Sequence, residues 1–251
     1  MQYGICNLSI ISQRAEPSDM AEQVSQLLYG EHFKVLESRK HWSRIRNAFD
    51  GCEGWIANNQ FEHITEAQFI EFDQAESQVS NDYTDFISDG KNLVPLVIGS
   101  CVHATKLLNH SFEGSGNSGF KSREELIKSA LYYLNTPFLW GGKTPFGIDD
   151  GGFTQMTYKL CGYKLLRNAA LQSTQGEPLS FIEESEEGDL AFFDDNDGKI
   201  VHVGIIMKNN YIIHSFGKVR IDRIDHTGIF NEEIGRYSHK LRVIKRIIPE
   251  S

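Results

Sequence analysis

Leu139-Trp140-Gly141-Gly142, followed by Gly147-Ile148-Asp149-Asp150-Gly151-Gly152-Phe153, is a glycine-rich turn that runs into a helical stretch. A residue at such a mouth meets free backbone N–H groups and the positive end of the helix dipole, which favour an anion. Upstream, Ser122-Arg123-Glu124-Glu125 is a capping box. Leu126, Ile127, Ala130, Leu131 and Leu134 then recur at helical spacing until Pro137. Downstream, the pattern predicts a helix over about 153–161, closed by Gly162. Residues 189–193, 201–207, 211–215 and 241–248 read as strands, with turns at 194–198 and at Asn209-Asn210. Helices followed by an antiparallel sheet make this part α+β. His202 opens one strand and His214 lies on the next, so the Asn209-Asn210 hairpin sets the two side by side.

The N-terminal part has a different texture. Residues 33–36, 42–46 and 55–57 read as short strands bracketed by turn signals at Asp50-Gly51 and Glu53-Gly54, the pattern of a small barrel. Trp42 and Trp55 fit its core better than a ligand platform. Residues 65–81 are polar, helical or linking, and a weaker strand pair is expected at 93–98 and 102–108. Glu113-Gly114-Ser115-Gly116-Asn117-Ser118-Gly119 reads as a linker. The expected domains are therefore 1–64, 65–118 and 119–251.

The chain has 251 residues, 40% hydrophobic and 24% charged, which is ordinary globular composition. The net charge of −9 argues against nucleic acid or an anionic membrane as the main partner. No stretch has the roughly 18 apolar residues of a membrane span. Met1-Gln2-Tyr3-Gly4 begins no basic and apolar leader, so a cytoplasmic location is expected unless a signal was removed. Cys6, Cys52, Cys101 and Cys161 are spread without a CxxC pair and read as free thiols.

The ordered set LWGG (139–142), G-I-D-x-x-G-F (147–153), GDL-x-FF (188–193), HVGI (202–205) and IIHS (212–215) resembles the NlpC family of cell-wall peptidases. Residues 1–64 resemble the bacterial SH3-like domain that often precedes that core, with 80–115 open to reading as a second, diverged copy. The resemblance implies a papain-like α+β core after one or two small SH3-like β-barrels. It also implies activity on γ-D-glutamyl bonds of peptidoglycan stem peptides. In that family a cysteine at the helix mouth is the nucleophile, one His is the base and a second orients it. Matched position by position, His202 is the base, His214 the orienting residue, and Asp150 stands where the cysteine belongs. Cys161 lies about 16 Å further along the helix axis and cannot replace it.

Other positions depart too. Gly151 replaces a serine and Phe138 a tyrosine, and Arg167-Asn168-Ala169-Ala170 replaces Arg-Asp-Ala-Ser. Acylating a carboxylate would give an anhydride, so Asp150 is a poor nucleophile toward an amide. The resemblance nevertheless keeps Asp150, His202 and His214 as the catalytic positions. It makes Phe138, Trp140, Asp149, Gly151 and Asn168 candidate substrate contacts, and Glu16, Glu22 or Glu53 the acidic wall. Asp150 or Asp149 serves equally as a helix cap. A metal held by Asp150, His202 and His214 is disfavoured if His214 backs His202, so no metal or cofactor is expected. Three functions stay open: an inactive relative that binds a stem peptide or muropeptide or regulates an active one, a weak or metal-dependent hydrolase, and an interaction protein with a filled cleft.

Overall fold

The computed structural model describes residues 1–249. Two compact units emerge: Met1–Phe120 together with Trp140–Pro145, and Lys121–Leu139 together with the chain from Phe146 onward.

The N-terminal unit opens with β1 (Gln2–Ile5), β2 (Ile10–Arg14), β3 (Gln23–Leu28), β4 (His32–Ser38), β5 (Trp42–Asn47), β6 (Glu53–Ala57) and β7 (Glu62–Ile64). They form one antiparallel sheet in the order β3-β2-β6-β5-β4-β1-β7. Alternation explains the facing: in β5, Ser43, Ile45 and Asn47 are buried while Arg44 and Arg46 reach water. Ile11, Leu27, Phe33, Ile45 and Ile56 make the core. Trp55 is buried and Trp42 half-buried.

Helix α1 (Glu66–Gln74) starts at Thr65 in a capping box with Gln68 and buries Phe69 and Phe72. Then come β8 (Val79–Ser80), β9 (Thr84–Ser88), β10 (Leu93–Val97), α2 (Thr105–Leu108), β11 (Ser111–Phe112) and β12 (Gly116–Asn117). Residues 102–108 were expected as a strand but form a 3₁₀ turn and one α-helical turn. Ala104, Leu107 and Leu108 pack on one cluster at i, i+3, i+4 spacing, which only a helix presents on one face. The glycine stretch at 113–119 is not a free linker either. Gly116–Asn117 pairs with Val79–Ser80, and a Cβ on Gly114 would run into the Asp85 carboxylate.

Trp140–Pro145, expected with the C-terminal domain, belongs to the N-terminal unit. Lys143 explains it. Its Nζ lies 3.1 Å from both Glu31 oxygens, with both residues buried, and its backbone N–H donates to Gln26 Oε1 at 2.8 Å. Gly141 has φ +72°, and a Cβ there would stand 2.5 Å from the Gln23 carbonyl oxygen.

The C-terminal unit begins with α3 (Arg123–Leu131), capped by Ser122 and Glu125 as the sequence predicts. It ends short of Pro137: Leu131 and Leu134 are exposed, and Asn135 turns the chain at φ 68°. Helix α4 (Asp150–Lys159) and the short α5 (Ala169–Gln172) follow. The strands are β13 (Glu177–Leu179), β14 (Leu190–Asp194), β15 (Ile200–Met207), β16 (Tyr211–Phe216), β17 (Lys218–Ile224), β18 (Gly228–Asn231) and β19 (Arg236–Arg246). Strands β14 to β19 pair in sequence, and β19 returns to β14, closing a six-stranded antiparallel barrel with β13 added on β19. Phe193, Ile206, Ile212, Ile229 and Ile244 fill its core. Asn209 and Asn210, both at φ 61°, make the left-handed turn between β15 and β16.

Candidate active site

Helix α4 packs on β15 and β16, which brings its first turn to the two histidines. Asp149 is the cap: its Oδ1 accepts from the Gly152 N–H at 2.6 Å. The same carboxylate is gripped by Arg167, with contacts of 2.9 and 2.8 Å, and both side chains are buried. Ser215 Oγ donates to the Ile148 carbonyl at 3.0 Å, tying the preceding residue to β16. Because Asp149 takes the cap, Asp150 is the first helical residue and its carboxylate is free to face the strands.

Asp150 Oδ2 accepts from the Val203 N–H at 3.1 Å and lies 3.2 Å from His202 Nδ1. The β15–β16 pairing ends at Gly204, which leaves the Val203 N–H for this contact. His202 Nε2 is 2.8 Å from His214 Nδ1, and His214 Nε2 is 3.0 Å from Asp222 Oδ2. Gly204 permits the approach: a Cβ there would stand 2.9 Å from His214 Cβ. Arg220 grips Asp222 through two bonds and also reaches Asn231 and Glu233. His239, from β19, stacks on His202 with centroids 4.1 Å apart and meets His214 edge-on at 5.8 Å. Its Nδ1 is 2.9 Å from Ser238 Oγ.

Burial pushes the Asp150 carboxyl up, but His202 and the Gly151 and Val203 N–H groups outweigh it and hold it below 3.8. Asp222 is likewise raised by burial and brought below 3.8 by His214 and Arg220. Burial drives His214 down to about 4, with the neighbouring His202 adding to the fall. His239 falls to about 3, through burial first and then its two histidine neighbours. The contacts from Asp150 through both imidazoles to Asp222 form three gaps in series. Two neutral imidazoles supply two protons for the three gaps, so one gap is left without a proton; with both N–H groups turned to the carboxylates it is the one between His202 and His214.

Asp150, His202 and His214 therefore come together as the sequence suggests, with His214 behind His202. The expected substrate contacts lie in different surroundings. Asp149 is buried in its cap and ion pair. Gly151 is buried against the 167–169 backbone, where a Cβ would meet the Arg167 carbonyl oxygen at 2.7 Å. Asn168 caps α5 through the Leu171 N–H. These three have structural work. Phe138 is exposed. Trp140, also exposed, lies in the other unit, where its indole N–H donates to Glu22 Oε1 at 2.6 Å. Glu53 is held by Arg44 and Arg46. The sequence reading missed His239 and Asp222. The strand carrying His239 was expected to begin at 241, and Asp222 sits on a strand that the sequence reading left out.

Residues 135–236 match the NlpC/P60 family, and residues 14–61 match the bacterial dipeptidyl-peptidase SH3 domain. Dipeptidyl-peptidase 6 of Lysinibacillus sphaericus is 27% identical over 80% of this chain and 83% of its own. The γ-D-glutamyl-L-lysine dipeptidyl-peptidase of Bacillus subtilis is 26% identical over 76% of this chain and 71% of its own. The crystal structure of an NlpC/P60 family protein from Bacillus cereus superposes with a TM-score of 0.78 at 16% identity, covering 98% of this chain and all of that one. That likeness shows the fold. The chain thus joins a bacterial dipeptidyl-peptidase SH3 domain at 14–61 to an NlpC/P60 domain of the cell-wall peptidases at 135–236.

Proposed function

We propose that this protein binds a γ-D-glutamyl peptide of the peptidoglycan stem and does not hydrolyse it. The observation that carries the reading is the Asp150 carboxylate, held by the Val203 N–H and His202 where the resemblance expects a thiolate. Like a thiolate it is an anion facing an imidazole. Unlike a thiolate, attack on an amide would convert it into an anhydride, uphill from both partners. An anion fixed there suits an amide N–H or an ammonium group of the ligand. The relatives named for γ-D-glutamyl-L-lysine peptides supply the ligand class.

The test is a mass-spectrometric time course with L-Ala-γ-D-Glu-diaminopimelate at equimolar protein, alongside a calorimetric titration of the same peptide. The expected result is saturable binding with the peptide intact after a day. Release of free diaminopimelate, lost in His202→Ala, would overturn the proposal.

A further inference from the structure

The geometry points to a divalent transition-metal site built from the imidazoles of His202, His214 and His239. It goes beyond the peptide-binding reading and stands whether or not a peptide binds. One ring nitrogen of each histidine lies within 4.8 Å of those of the other two. Three tetrahedral ligands at about 2.05 Å from one zinc ion stand about 3.4 Å apart. The His202–His214 pair, now at 2.8 Å, has to open slightly and His239 has to close in. His239, the half-buried member, has to turn out of its stack on His202 to aim a nitrogen at the same ion.

The outer partners favour an ion. His202 presents Nδ1 to Asp150, and His214 presents Nε2 to Asp222. Each imidazole thus has a carboxylate behind it, the arrangement that fixes tautomer and ring direction in histidine–metal sites. His239 has Ser238 Oγ behind its Nδ1. The nitrogens left over on His202 and His214 face each other at 2.8 Å. The same choice of tautomers puts two lone pairs face to face across the His202–His214 gap, which a cation relieves. Arg220 sets the Asp222 carboxylate in turn.

The ligand set differs from the one a sequence argument would pick, because Asp150 stands behind His202 and His239 supplies the third donor. Three imidazoles suit zinc, cobalt(II), nickel or copper(II), and a tetrahedral ion would keep one position for water or a ligand donor.

The full chain, purified without a histidine tag, is titrated with zinc against a chromophoric chelator and with cobalt(II) by visible absorption. The expected result is a single ion per chain with the intense bands of tetrahedral cobalt. His239→Ala and the closer-fitting His239→Gln should weaken zinc at least about tenfold, and Asp222→Asn by about 10- to 100-fold. Far-UV circular dichroism and metal-free unfolding establish that each variant is folded. Equal affinity for the wild type and both folded His239 variants would overturn the site. So would a pale, octahedral cobalt spectrum, or no binding by the wild type.

Discussion

Asp150 differs from an ordinary capping aspartate by one position. Had the cap fallen on it, its carboxylate would turn back onto the helix N–H groups; with Asp149 in that place, it faces His202. This bears on how catalysis is restored. Asp150→Cys puts a thiol opposite His202 Nδ1, and we expect γ-D-glutamyl peptide cleavage to rise from undetectable to measurable in the mass-spectrometric assay. Adding Gly151→Ser, which the family pattern invites, should work against this. The new Cβ would press on the Arg167 carbonyl and Asn168 Cα at 2.7 and 2.8 Å, backbone atoms that cannot swing aside. Comparing the single and double variants by activity and unfolding midpoint checks both statements. A double variant as stable and more active than the single one would show that the 167–169 backbone yields.

At the level of elements, the N-terminus of α4 is held by one buried carboxylate with two duties. Asp149→Ala removes a cap and leaves the Arg167 guanidinium buried without its partner. We expect a loss of about 3–5 kcal/mol in urea unfolding. Asp149→Asn, which keeps the cap acceptor, should lose less. A parallel case is Lys143 and Glu31 in the N-terminal unit. Lys143→Met should cost about 3–5 kcal/mol, and the double change with Glu31→Gln should recover a good part of it. Additive losses in that cycle would mean that the pair does not act as one.

Which elements the sequence reveals follows from how local their causes are. The Ser122–Glu125 box and the Asn209-Asn210 turn are written within four residues, and both stand as read. Strand β17 is not. Asp222 and Ile224 share one face of it, both buried, while Val219 is buried on the other face beside the exposed Ile221. A buried carboxylate there is partnered by Arg220 two residues away and by His214, and the second partner comes from a neighbouring strand. The assignment of 102–108 failed for the opposite reason: a short apolar run fits strand and helix alike until its packing partner is known.

Taken whole, the barrel encloses groups that resist protonation. His214 and His239, at about 4 and about 3, are surrounded by His202, Asp150, Asp222 and Arg220. The unfolded chain takes up those protons near 6.5, the folded one only at the lower values. Their contribution is therefore complete above pH 6.5 and declines as pH falls from there towards 4 and 3. Below 3.8, the depressed carboxyls of Asp150 and Asp222 add loss in the same direction. Urea midpoints measured in steps from pH 7.5 to pH 4.5 should hold above about pH 6.5 and fall steadily below it, and His239→Gln should flatten the slope. A midpoint constant across that range would contradict the assigned burial. The histidines at 202 and 214 were legible as neighbours because one short hairpin joins them. His239 was not, because only closure of the barrel brings it there.

That closure also sets an order in time. Strand β19 pairs with β13, β14 and β18 and delivers the third imidazole. It is the last strand of the barrel to leave the ribosome. Until it emerges, β14 and β18 are open edges and the two earlier histidines lack their stacking partner. The N-terminal sheet is made from residues 2–64, with Trp140–Pro145 in the same unit, all of which precede β19 in the chain, and can form during synthesis. A nascent chain stalled before residue 236 is thus expected to carry a protease-resistant N-terminal unit and a sensitive remainder.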